Sequence, residues 1–225
     1  MAESYPNTAN TWIAGELALG AIGRESVWRH IMNVYSAPLR VYGKRAYARF
    51  HDVDDLVNGF FASRLEDDAY LAAWHASGRR LRDWLRSGLD LYEYGCRRKY
   101  SIQNGRTAPL AETDADVPDA SEDPMAAFER QLILSIVQEA RRSAAETCRA
   151  VGLAEHWRVF ERHVVEGEAY ETICAELQID ANRAARMNAT AKSRFVTALR
   201  DVVRKDGVPE SDIDRTIAEF LATFD

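Results

Sequence analysis

The sequence predicts an all-α protein built as two compact helical domains joined by an acidic linker. Three observations carry this. Apolar residues recur at helical spacing on both sides of the middle of the chain, strand-like alternation is weak throughout, and one proline-punctuated acidic stretch shows no apolar period.

The first well-signalled helix is "DVDDLVNGFFASRL". Val53, Leu56, Val57, Phe60 and Phe61 fall at i, i+3, i+4, i+7, i+8, while Asp52, Asp54 and Asp55 crowd the N-terminal turn, where carboxylates suit the helix dipole. Upstream, Val27, Ile31, Val34 and Tyr35 share a similar face, which Pro38 is expected to kink or divide. Downstream, Leu81, Trp84, Leu85 and Leu89 repeat the spacing. These elements form the expected first domain, residues 1–105.

The stretch 106–125 holds Pro109, Pro118 and Pro124 among small and acidic residues and reads as a linker. Net charge is +2 over residues 1–105, −5 over 106–125 and −3 over 126–225. The acidity is therefore concentrated in the middle. It is read as a solvated spacer or as an acidic strip that mimics nucleic acid and occupies a basic groove.

The second domain, 126–225, contains the most informative spacing. Trp157 and Phe160 open a helix toward His163 and Val164; Gly167 interrupts it; Tyr170, Ile173, Cys174 and Leu177 form a second apolar face; Asp180 then caps a third helix. This is a helix-turn-helix pattern, with Ile179 packed inside the corner. The third helix carries seven Lys/Arg between Arg183 and Lys205 against one acid, Asp201. A basic helix so placed can enter a major groove: Arg183 and Arg186 would read guanine edges, Asn182 or Asn188 adenine, and Lys192 and Arg194 would neutralise phosphates. The tail places Ile213, Ile217, Phe220, Leu221 and Phe224 on one face, a short helix expected to fold back onto this domain or to bind a partner.

A second basic stretch, Arg79 to Tyr100, interleaves seven Lys/Arg with Trp84, Tyr92, Tyr94 and Tyr100. Aromatic rings among cations suit unpaired bases and a phosphate backbone. Other classes find little support. Cys96, Cys148 and Cys174 are odd in number, widely spaced and expected to be buried, reduced thiols. There is no glycine-rich phosphate loop, HExxH or GxSxG, and His156 and His163 have no matching carboxylate-and-histidine site. No enzyme, no cofactor and no metal are therefore expected. With neither a membrane span nor a secretory signal in the sequence, the cytoplasm is the expected compartment.

Over nearly its whole length the chain resembles a two-domain bacterial sigma factor of the extracytoplasmic-function type, the dissociable subunit that directs RNA polymerase to promoters. "DVDDLVNGFF" is similar to the family's polymerase-binding helix, which implies that role for Asp54, Asp55, Leu56, Asn58 and Phe60. "GRRLRDWLRSGL" followed by "CRRK" is similar to the segment that melts and holds the minus-ten element, which implies DNA contact by Arg82, Trp84, Arg86, Arg97, Arg98 and Lys99. "HWRVFERHVVEGEAYETICAELQID" is similar to the domain that reads the minus-thirty-five element.

The departures are specific. Asn58 and Gly59 stand where the family usually has Gln-Glu, and Asp90 and Leu91 replace a basic and a polar residue. Gln178 takes the usual glycine of the corner, a position of positive φ. The resemblance implies core RNA polymerase and promoter DNA as partners, with an anti-sigma factor as a further regulatory one. It leaves two roles open: a promoter-directing initiation factor, or a sigma-like regulator that binds polymerase or DNA without initiating alone.

Overall fold

A computed structural model describes residues 8–47, 52–65, 67–103 and 123–222. Among them there is no strand. The helices are α1 (Thr8–Ala18), α2 (Ala21–Ala46), α3 (Val53–Leu65), α4 (Asp68–Ser77), α5 (Leu81–Gln103), α6 (Pro124–Ala150), α7 (Ala154–Phe160), α8 (Tyr170–Leu177), α9 (Ala181–Lys205) and α10 (Ile213–Ala222). The all-helical expectation holds.

Helix α3 begins where its signals place it. Asp52 accepts from the backbone N–H groups of Asp54 and Asp55, satisfying amides that a first turn leaves open. Its apolar stripe, Val53, Leu56, Val57, Phe60 and Phe61, is buried. Gly59 is explained by its neighbour: a Cβ there would stand 2.6 Å from the Tyr92 hydroxyl of α5. Glycine is what lets α3 and α5 approach.

Two boundaries differ from the sequence reading. Helix α2 runs unbroken through Pro38, which is itself buried in the helix. The packing of the α2 face formed by Val27, Ile31, Val34, Tyr35 and Leu39, all fully buried, outweighs the local cost of proline. At the other boundary, Asp123 and Pro124 belong to a helix start rather than to the linker. The Asp123 side chain accepts from Met125 N–H, and Pro124 takes the first helical position, where its missing N–H costs nothing. The rest of the acidic stretch up to residue 122 lies, with residues 104 and 105, outside the described residues.

Helix α6 lies along both α2 and α9 and so joins the two halves. One apolar cluster contains Ile31, Val34, Tyr35 and Leu85 from the first range together with Phe128, Leu132, Ile136, Leu199 and Val203 from the second. Residues 1–105 and 126–225, expected as separate compact domains, thus bury side chains in common. A smaller cluster of Val159, Ile173, Ala184 and Met187, with Ile179 and Leu177 packed on it, sits where α7, α8 and α9 meet.

The chain end folds back. In α10, Ile213 and Phe220 are buried and Ile217 packs on the main cluster, against α9. The side chain of Leu221 and residue Phe224 lie outside the described residues. Of the three thiols, all free, Cys148 is buried, but Cys96 and Cys174 are only half-buried. No helix among the described residues is long and apolar enough to cross a membrane.

Candidate functional site

The corner between α8 and α9 is built from backbone geometry. Gln178 has φ 54° and ψ 43°, the left-handed region, and is the one non-glycine residue with positive φ among those described. Ile179 N–H donates back to the Cys174 carbonyl at 3.2 Å, and Asp180 caps α9 by accepting from Arg183 N–H at 2.8 Å. Stop and start are therefore two residues apart. Before it, α7 continues into a π-helical turn, Glu161–Val165, and Gly167 at φ 74° reverses the chain. Arg162 clasps this reversal, bonding Glu168 at 2.6 Å and Glu176 at 2.6 Å.

Helix α9 divides into two parts. In its first half Ala184, Met187 and Ala191 face the interior, while Asn182, Arg183, Arg186, Lys192 and Arg194 are exposed. None of these four cations makes an ion pair with any described residue. Asn188 is different: its amide donates to the Tyr170 hydroxyl at 2.6 Å, and Tyr170 stacks on His163. It braces the corner from inside, so its expected base contact is replaced by a structural one. In the second half every cation is engaged: Arg200 pairs with Asp214, Arg204 with Asp201 and Glu210, and Lys205 lies 4.5 Å over the Trp12 ring.

Helix α5 spends its cations differently. Arg82, expected on DNA, is buried. Its Nε donates to Asp206 Oδ2 at 2.6 Å and its Nη1 to Glu129 at 2.8 Å, so in this arrangement no phosphate reaches it. Burial works against the charged guanidinium, but Asp206 and Glu129 outweigh it and raise its proton affinity. Asp206 also accepts from the Tyr35 hydroxyl at 2.7 Å and from Arg82 N–H at 3.1 Å. Burial first, then the adjacent carboxylate, pushes the Tyr35 hydroxyl far up, keeping it a donor.

Further along α5, Arg86 is half-buried, 3.5 Å from Asp90 and 6.0 Å over the Tyr42 ring. Asp90 accepts from Tyr42 at 3.0 Å and from Tyr47, which turns it toward α2. The carboxylate that replaces the family's basic residue here thus has donors within the fold. Arg97 pairs with buried Glu93 at 2.7 Å. Trp84 is half-buried against Tyr70. Only Arg98 and Lys99, of the six residues implied for the minus-ten element, are fully exposed, in company with Leu91, Tyr94, Tyr100 and Ile102.

In α3, Leu56 and Phe60 are core residues and present no surface to a partner. The exposed set is Asp54, Asp55 and Asn58. Arg40 of α2 donates to Asp54 at 2.7 Å and to Asn58 at 2.7 Å, so part of this acidic face is already answered within the chain.

Another polar group joins the halves. Glu139 of α6 lies 3.9 Å from His30 Nδ1, accepts from Asn33 at 3.3 Å and pairs with Arg142 at 2.6 Å. Burial resists its charge, yet His30 and Arg142 prevail and hold the Glu139 carboxyl down at about 2. Burial lowers the His30 imidazole despite that carboxylate. Sequence reading missed Asp206, Tyr35, Glu129, Glu139 and His30, because partners as far as 171 residues apart leave no local pattern.

Among the described residues no group of three His, Cys, Asp or Glu side chains is placed to hold a metal ion. No protein-family model, no curated protein and no solved structure matches the chain.

Proposed function

We propose that this protein is a sigma-type transcription factor that directs RNA polymerase to promoters by binding core polymerase and DNA, and that it acts in the cytoplasm by binding rather than by catalysis. One observation carries the reading: a sharp left-handed corner aims the first half of α9 outward with four exposed cations that pair with no carboxylate among the described residues. In this reading α8 and α9 form a helix-turn-helix. Arg183, Arg186 and Asn182 face the major groove and Lys192 and Arg194 the phosphates. Arg98, Lys99, Tyr94 and Tyr100 on α5 supply a second, stacking surface for unpaired bases. Asp54, Asp55 and Asn58 form the polymerase contact. Residues 1–105 and 126–225 each supply one contact surface, and two weak contacts carried on one chain raise the effective concentration of the second.

Run-off transcription with purified core polymerase and genomic DNA tests it. Promoter-specific transcripts are expected; failure to bind either polymerase or DNA rejects the reading. Replacing Arg183 and Arg186 with alanine should weaken duplex binding by about 1–3 kcal/mol each and relax its sequence preference, while replacing Lys192 and Arg194 should lower the salt slope by about two. Unchanged affinity and slope would move DNA contact away from α9.

A second reading, a sigma-like adaptor that holds polymerase or DNA without opening a promoter, is favoured by α5. Its Arg82, Arg86 and Arg97 are engaged inside the chain. Binding without transcripts would select it.

A further inference from the structure

Asp206 closes α9 and, at the same time, opens α5. Its carbonyl accepts from Leu81 N–H at 3.0 Å and its carboxylate from Arg82 N–H at 3.1 Å, so it serves the first turn of a helix that begins 125 residues earlier in the sequence. The segment before α5, Gly78–Arg80, supplies no side-chain oxygen for this purpose. Gly207 lets the chain turn there: it holds φ 95°, a conformation that side-chain-bearing residues rarely adopt, and it packs beside the Arg80 α-carbon. The same carboxylate accepts from Arg82 Nε and from the Tyr35 hydroxyl, while Glu129 of α6 accepts from Arg82 Nη1. Asp206 is fully buried and Arg82 nearly so.

We propose that Asp206, with Tyr35 and Glu129, is an intramolecular latch that holds the C-terminal half on the start of α5 and occupies Arg82 in place of a nucleic-acid phosphate, so that DNA engagement by α5 requires the latch to part. The proposal rests on the reading of α5 as a DNA-contacting helix. A guanidinium bound by two carboxylates already has the geometry and charge that a phosphate would offer, and the two ligands compete for one cation. Closure and single-stranded DNA binding are thereby linked, since a ligand shifts an equilibrium only by its preference for one state.

Hydrogen exchange on the full chain tests this. The amides of Leu81 and Arg82 should exchange slowly in the free protein and lose protection when a saturating single-stranded oligonucleotide binds, with binding itself followed by fluorescence anisotropy. Asp206→Asn should exchange these amides fast without DNA and bind the oligonucleotide about tenfold more tightly, a usual size for coupling between sites. Tyr35→Phe, which keeps the ring, should move both readouts in the same direction by less, and guards against a poorly folded Asn variant.

Oligonucleotide binding that leaves Leu81 and Arg82 protected overturns the latch and leaves the proposed function intact. Fast exchange in Asp206→Asn with no oligonucleotide binding by any variant rejects α5 as a DNA surface and, with it, the competition for Arg82. Unchanged exchange and affinity in both variants also overturn the latch.

Discussion

Helices α5 and the first half of α9 are both basic, yet they use their cations in opposite ways. On α9, Arg183, Arg186, Lys192 and Arg194 point outward without an ion pair to any described residue, on a face otherwise made of small residues such as Ala185 and Ala189. On α5, Arg82, Arg86 and Arg97 turn toward Asp206, Asp90 and Glu93. The difference lies in where the carboxylates stand. Asp90 and Glu93 lie one turn from Arg86 and Arg97 on α5 itself and Asp206 reaches Arg82 from the end of α9, whereas no carboxylate among the described residues pairs with the outer face of the first half of α9. Formal charge is the same kind of number in both places, and only the partners decide whether it belongs to the fold or to a ligand.

The sharpest way to break this contrast is to delete one arginine of each kind. Arg82→Ala leaves Asp206 buried without its counter-charge and should cost about 3–5 kcal/mol, while Arg183→Ala should change stability by less than about 0.5 kcal/mol. Urea unfolding of both variants measures this. Equal midpoints would remove the distinction between a structural and a surface arginine.

The packing of α5 on α3 is probed next. Gly59→Ala should destabilise by about 1–3 kcal/mol through the clash with Tyr92, despite alanine's better helix propensity. Combining it with Tyr92→Phe, which removes the hydroxyl, should recover most of the loss. If the single variant is more stable than the parent, the close approach of the two helices is wrong.

Acid should weaken the join between the halves in two stages. The folded-state pKa of His30 is depressed by burial, so the unfolded chain takes up its proton first and stability falls as pH drops below the unfolded value of about 6.5. The groups facing it are Glu139, Lys205 and Asp206. Glu139, held at about 2 against an unfolded value of about 4.3, then loses its stabilisation as pH falls through that lower window. Urea midpoints from neutral to acid pH should show both declines, and Glu139→Gln should abolish the second while leaving α9's exposed cations unaffected.

The smallest expected effect is at the corner. Gln178→Gly relieves a side chain held at φ 54° and should stabilise by up to about 1 kcal/mol, because the gain in the folded state is partly offset by a more flexible unfolded chain. A loss of stability would mean that the Gln178 side chain contributes contacts of its own.

What could be read in the sequence is what neighbours determine. The start of α3 at Asp52 and the Asp180 cap are set by residues within four positions of one another, and each stands where its signal placed it, whereas the left-handed corner at Gln178 was implied by the resemblance alone. The inward turn of Leu56 and Phe60 was also visible, since both lie on the apolar stripe; assigning them to a partner followed the resemblance and set the stripe aside. Arg82 and Asp206 were illegible for a different reason. Each looks like an ordinary surface charge until the fold brings them 2.6 Å apart. Asp90 is similar: it stands in the sequence as a departure from the family's basic residue, and only the fold brings Tyr42 and Tyr47 to it as two donors.

Helix α9 is one uninterrupted rod of 25 residues, about 37 Å at 1.5 Å per residue, with the exposed cations at one end and Asp206 at the other. Its two ends are therefore locked in rotational phase. Inserting a single alanine near Val196 would rotate one end against the other by about 100°, so that Arg183 and Asp206 could no longer both keep their orientations. The helix works as a shaft, and its length in residues, more than its composition, is what must stay fixed.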